Sequence, residues 1–277
     1  MKLGISLRLM GPASQPDVVL ACARAADRSP IDELWVPDHI AIPPDDALGS
    51  GGRYLDPLAS LAVLAGCTER IGIGTGVLIL PYRPPLPTAK WVATIQELSG
   101  GRLRLGVGVG WMQAEFRALG LERRHRGALT DRTLDTLLRC FDAEDDVVEE
   151  NGQAFYFRPR PPRPPIFVGG AAPHALERAV RYGDGWMPMG AEPEALAPDV
   201  RRLHELADEA RKPSPEVVAF GGLPAGDPRR SADQLARLWE LGVTRFATGS
   251  RYETADEFRR GLDELAAVKE ALDPSLQ

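Results

Sequence analysis

KLGISLRL, residues 2–9, is the stretch that decides the fold. Side chains on a strand alternate between faces, so Leu3, Ile5, Leu7 and Leu9 line one side and Gly4, Ser6 and Arg8 the other. Four large aliphatic residues on one face need a broad apolar neighbour. The small or polar residues opposite need little room. A closed barrel clad by helices meets both demands, with the leucines packed outward and the small face looking into the barrel.

The rest of the chain repeats this unit. Short β-branched or apolar runs near 32–37, 70–79, 102–109, 165–169, 184–189, 215–221 and 243–248 each give way to a helical pattern, making eight β-α units with the first run. In PDVVLACARAADR (16–28), Val18, Val19, Cys22 and Ala26 keep one helical face apolar. In ADQLARLWELG (232–242), Leu235, Leu238 and Trp239 do the same and Gly242 is the stop. Strands separated by helices run parallel, so the 277 residues are read as an α/β fold, a (β/α)8 TIM barrel forming a single domain over 1–277. An open doubly wound sheet is the alternative. One insertion precedes the fifth strand: in VVEENGQAFYF (147–157), Asn151-Gly152 joins two strand-like arms, the pattern of a type I′ β-hairpin. The proline-rich RPRPPRPP that follows (158–165) reads as an extended lead-in to the fifth strand, not as a domain boundary.

Composition narrows the function classes. A net charge of -6 argues against a nucleic-acid-binding surface, which needs a positive footprint. The first ten residues lack the apolar core of a signal peptide and no later run approaches a membrane span, so a cytoplasmic protein with no membrane partner is expected. Cys22, Cys67 and Cys140 are widely spaced with no C-x-x-C pair and are expected to be buried thiols. His125, His174 and His204 show no metal-ligand spacing, and no metal is expected.

Residues at the ends of barrel strands build the active face. In ELWVPDH (33–39) a short apolar run ends in Asp38-His39, which either caps a turn or arms a site. In IGIGTGVLILPYRPP (71–85), Gly72, Gly74 and Gly76 share a face, and Gly106, Gly108 and Gly110 share another in RLRLGVGVGWMQAEF (102–116). Glycines inside strands mark places where backbone or ligand comes close, so two bare neighbouring faces admit either barrel packing or a flat ring. Their spacing is not that of a dinucleotide fingerprint. In PPIFVGGAAPHALERAV (164–180), Gly169-Gly170 leads into a helix with Pro173 in its first turn, and the amides of Gly170, Ala171 and Ala172 are candidates to hold a phosphate. Trp186, in DGWMPM (184–189), either walls the pocket or packs.

The combination WVPDH, IGIGTGVLILPYR, GRLRLGVGVGW...EF..LG and IFVGG........A..YGDGW resembles the luciferase-like monooxygenase superfamily, in particular its F420-dependent oxidoreductase branch. The resemblance spans the first two thirds of the chain. It implies a usually dimeric barrel that binds coenzyme F420, or alternatively FMN, at the C-terminal face. It further implies a non-prolyl cis peptide at Gly76-Val77, beside Thr75, against the middle ring of the cofactor. Asp38 and His39 match the family's Asp-His pair, with His39 near the reactive ring carbon as general acid/base or positioning donor, a role suited to imidazole chemistry. Gly169, Gly170 and Ala171 match its phosphate turn, Gly108 and Val109 its fourth-strand edge, and Trp186 its sixth-strand end. Pro84 stands where many relatives have His, and Trp111 where sugar-phosphate-oxidising relatives have Glu, so neither a sugar-phosphate dehydrogenase nor a light-emitting enzyme is implied. The expected activity is hydride transfer between F420 and a small-molecule substrate, in a homodimer served by a separate flavin or F420 reductase. Its rivals are an FMN-dependent two-component monooxygenase and a noncatalytic flavin-binding protein.

Overall fold

Strand and helix alternate as the apolar pattern requires. The computed structural model describes residues 1–276. β1 (Lys2–Ser6), α1 (Pro16–Arg28), β2 (Glu33–Val36), α2 (Pro57–Cys67), β3 (Gly72–Ile79), α3 (Pro85–Leu98) and β4 (Leu103–Gly108) form the first half of the barrel. α4 (Gln113–Ala118) and α5 (Arg126–Asp142) follow, then the antiparallel hairpin of β5 (Val147–Glu150) and β6 (Gln153–Tyr156). Asn151 and Gly152 sit at its turn with φ of 51° and 76°, the left-handed pair that a type I′ turn needs. The second half comprises β7 (Ile166–Gly169), α6 (His174–Tyr182), β8 (Gly185–Met187), α7 (Pro193–Glu209), β9 (Glu216–Gly221), α8 (Pro228–Glu240), β10 (Val243–Thr248) and α9 (Ala255–Ala271).

Every barrel pairing is parallel, and the order β1-β2-β3-β4-β7-β8-β9-β10 closes on itself through β10 and β1. This is a (β/α)8 barrel, and the open sheet is excluded. Leu3, Ile5, Leu7 and Leu9 lie fully buried in the layer between barrel and helices, as the first strand demands. Trp239 departs from expectation: it is 39% exposed, while Ser231, Ala232, Leu235 and Leu238 carry the buried face of α8. Among the described residues no helix is long and apolar enough to cross a membrane.

The barrel interior corrects the reading of the glycines as a slot for a flat ring. Trp35, Phe167, Met187, Val218 and Ala247 form a separate core inside the barrel, with Val77 and Phe220 packed against it. A Cβ on Gly4 would lie 2.6 Å from the Trp35 Nε1, and one on Gly74 2.8 Å from the same ring. A Cβ on Gly106 would lie 2.9 Å from Met187 Cε and 2.0 Å from the Thr75 carbonyl oxygen. The bare faces therefore admit the barrel's own large side chains. Burying an indole there is worth about 3–5 kcal/mol by the usual cost of truncating such a residue.

Below this plug the N-terminal end is closed by charge. Arg245 donates to Glu33 and to Glu216, the latter at 2.7 Å, and lies 5.6 Å from the Phe167 ring centroid. The opposite end, where the connections after the eight parallel strands emerge, remains for chemistry.

Candidate active site

β2 delivers Asp38 and His39 to that end in opposite directions. Asp38 turns inward and is buried: Oδ2 accepts from Ile79 N at 2.8 Å and Arg83 Nη1 at 2.6 Å, and Oδ1 from Arg83 Nη2 at 2.9 Å. Arg83 also donates to Asp56 at 2.7 Å, and Asp56 caps α2 through Ala59 N. Burial works to lower the Arg83 pKa, but Asp38 and Asp56 outweigh it and hold it above its ordinary value. Burial in turn presses the Asp38 carboxyl upward against the pull of Arg83. The expected catalytic part for Asp38 is thus corrected: both its oxygens are committed to a bidentate ion pair that ties the β2, β3 and α2 segments together.

His39 stays half-buried at the mouth. Its ring lies 5.1 Å from Tyr54 and 6.4 Å from Trp111, both edge-on, and Nδ1 is 3.0 Å from Glu115 Oε2. Glu115, on α4, is buried, and its other oxygen accepts from Ile40 N at 2.6 Å and Ala41 N at 3.0 Å. Tyr82 Oη donates to Oε2 at 2.9 Å. Burial pushes the Glu115 carboxyl up, yet the donors from His39, Ala41, Ile40 and Tyr82 prevail and bring its pKa down to about 2. Burial and then Glu115 itself raise the Tyr82 phenol, so it keeps its proton and donates. An ionised carboxylate only accepts, so His39 must donate from Nδ1, which leaves Nε2 of the neutral ring as the acceptor. Nε2 has no hydrogen-bond partner among the described residues.

Glu115 was missed as a site residue although it lies in the GW...EF pattern. A lone acid followed by Phe116 on the buried side of a short helix needs strong donors, and that requirement was a readable sign.

The peptide bond between Gly76 and Val77 is cis, the β3–β4 register shifts between Thr75 and Leu78, and Val77 packs against Ile79, Tyr82 and Phe116. Val77 is half-buried. Its methyls stand where side chains on Gly108 and Gly169 would be, 2.5 and 2.8 Å from the Cβ positions, so Gly76, Val77, Gly108 and Gly169 do come together. Val109 follows, half-buried at the rim. Thr75 is corrected to a supporting residue: it is fully buried and donates through its hydroxyl to the Gly106 carbonyl at 2.6 Å.

The turn after β7 is partly as expected. Gly170 adopts φ of 126°, a conformation suited to glycine, but its N–H donates to Met187 O at 3.2 Å and is not free. Pro173 precedes α6 as its N-cap instead of lying in the first turn. Among the described residues the amides of Ala171 and Ala172 have no protein acceptor, and both residues are exposed beside the helix start. Trp186 does not wall the pocket: it is buried between barrel and helices, and its Nε1 donates to the Gly170 carbonyl at 2.8 Å, fixing the turn from behind.

Comparison with known proteins gives the family and the fold. The luciferase-like monooxygenase family pattern matches residues 2–276. An uncharacterised protein of Mycobacterium tuberculosis is 31% identical over 251 residues, covering 83% of each chain. The structure resembles the monooxygenase RslO1 from Streptomyces bottropensis, with a TM-score of 0.77 and 20% identity over 96% of this chain and 98% of that one. An F420-dependent secondary alcohol dehydrogenase, solved with an F420-acetone adduct, gives a TM-score of 0.75 at 19% identity, covering 96% and 98%. The chain belongs to the luciferase-like monooxygenase family.

Proposed function

We propose that this oxidoreductase uses coenzyme F420 to transfer a hydride to or from a small organic substrate held at the C-terminal mouth. The observation that carries the reading is the Glu115–His39 pair, which presents an unpartnered imidazole Nε2 at the open end of the barrel, with Val77 packed against the Ile79, Tyr82 and Phe116 cluster whose Tyr82 bonds Glu115.

The residues fit such a cofactor at both of its chemically distinct ends. Val77, half-buried, offers a surface for the ring, with Phe220 filling the Cβ side of Gly76, and the free amides of Ala171 and Ala172, at the positive end of α6, suit its acidic tail. When bound, F420 supplies a ring carbon that accepts or gives hydride. His39 Nε2 takes, or returns, the proton that accompanies the hydride. Glu115 fixes the tautomer for that transfer and stabilises the imidazolium that results. Tyr82 and the Ile40 and Ala41 amides keep Glu115 in place.

The alternative is oxygen chemistry on reduced FMN supplied by a separate reductase. Oxygenation requires strict shielding from water. The mouth is open, with Trp111 64% and Met189 85% exposed, which supports hydride exchange. Fluorescence titration of the purified protein with F420 and FMN tests the proposal. Saturable F420 binding stronger than FMN binding is expected; tight FMN binding with none of F420 would reject it.

A further inference from the structure

Arg8 stands apart from the other arginines at the mouth. Leu7 and Leu9 on either side of it are buried against the helices, so Arg8 projects on the opposite face, the one that Gly4 and Ser6 turn into the barrel. Its backbone N–H donates to Tyr252 Oη at 2.7 Å, which fixes the chain at that point. The guanidinium has no acceptor among the described residues, and its Nε is buried without a partner. Neighbouring arginines are occupied: Arg83 by Asp38 and Asp56, Arg53 by Ser14, Arg123 by the Trp111 carbonyl and Arg126 by the Gly110 carbonyl.

An unmatched buried donor of this kind costs about 1–3 kcal/mol, so its persistence calls for a ligand that pairs with it. A planar fork of N–H groups matches a carboxylate or phosphoryl group, and in a chain of net charge -6 an anion needs such a local cation to approach. Arg8 and His39 both lie beyond the C-terminal ends of the neighbouring parallel strands β1 and β2. Leu7 N donates to the Trp35 carbonyl on β2, Met10 bridges to Tyr54, and the Tyr54 ring lies 5.1 Å from His39. Tyr54 and the exposed Trp111 add aromatic surface against the imidazole, each edge-on to it.

We propose that Arg8 binds an anionic group, carboxylate or phosphoryl, of the organic substrate, whose apolar or aromatic body then lies over His39 between Tyr54 and Trp111. This rests on the hydride-transfer reading for the identity of the site, but the binding step can be tested without cofactor.

Benzoate and its neutral counterpart benzamide serve as probes in calorimetric titrations of the full chain, with and without F420, for the parent protein, Arg8→Gln and Arg8→Lys. Thermal melts of each variant confirm folding. The parent should prefer benzoate to benzamide, R8Q should weaken benzoate by about 10-fold or more and leave benzamide unchanged, and R8K should fall between. R8K also keeps the test available if R8Q does not fold. Equal benzoate affinity in parent and variants, or no benzoate binding to the parent, overturns the proposal. Loss of F420 binding in R8Q with benzoate unaffected overturns it too, by assigning Arg8 to the cofactor. If F420 fails to bind the parent while benzoate binding still depends on Arg8, the cofactor reading fails and this one stands.

Discussion

Replacing Glu115 with Gln separates the charge of that residue from the space it fills. The amide oxygen of Gln can go on accepting from Ile40 N and Ala41 N, now 2.6 and 3.0 Å from Oε1. Its NH2 group then stands where Oε2 receives Tyr82 Oη and His39 Nδ1. A hydroxyl can rotate to accept, but His39 must give up the proton on Nδ1 and carry it on Nε2 instead. The stability effect follows from the carboxyl pKa, which falls from an ordinary 4.5 to about 2 on folding. At about 1.4 kcal/mol per unit, ionised Glu115 contributes up to about 3 kcal/mol. Because the folded-state value is depressed, that contribution is full above pH 4.5 and is lost as pH falls toward about 2. E115Q should therefore be less stable than the parent at pH 7 by as much as about 3 kcal/mol, with the gap closing in acid. Loss of the charge-assisted partner of the imidazolium should also lower kcat by about 10- to 100-fold, with KM little changed. Urea unfolding across pH reads the first effect, and nitrogen-15 NMR of the His39 ring reads the tautomer. An unchanged tautomer in E115Q, or a stability gap that does not narrow in acid, would refute the assignment of Glu115 as the group that orients His39.

Three further outcomes are expected. Asp38→Asn should cost about 3 kcal/mol in denaturant unfolding, because it removes one partner of a buried ion pair; a stable D38N with lost turnover would return Asp38 to the chemistry. Gly106→Ala, whose Cβ would meet the Thr75 carbonyl oxygen at 2.0 Å, should destabilise by about 3 kcal/mol or more, whereas Gly222→Ala, with nothing within 4 Å, should be neutral within about 0.5 kcal/mol. A homodimer is proposed through the exposed Val63 of α2 and Trp91 and Leu98 of α3, and light scattering should find a dimer that Trp91→Glu converts to a monomer. A monomeric parent protein would refute that face.

The barrel was legible because its determinants are local and repeated. The alternation in residues 2–9 told outer face from inner, and Asn151-Gly152 marked the hairpin from its own backbone needs. The interior was not legible from the glycines alone. What fills the space above Gly74 is Trp35 of the neighbouring strand, and above Gly106 it is Met187, eighty-one residues away by numbering, so a bare face looks the same in sequence whether ligand or protein occupies it. Direction was lost likewise at Asp38 and Trp186. A residue at a strand end can face either way, and the choice was made by Arg83 in one case and the Gly170 carbonyl in the other. His39 was found by its position; Glu115, which prepares it, depended on a contact across 76 residues.

The most direct measurement is a crystal structure of the protein with F420 bound under anaerobic conditions. The expected result has the ring against Gly76-Val77, its reactive carbon facing the His39 imidazole, and the acidic tail on the Ala171 and Ala172 amides. A ring bound away from Val77, or His39 released from Glu115 and turned from the cofactor, would contradict the account.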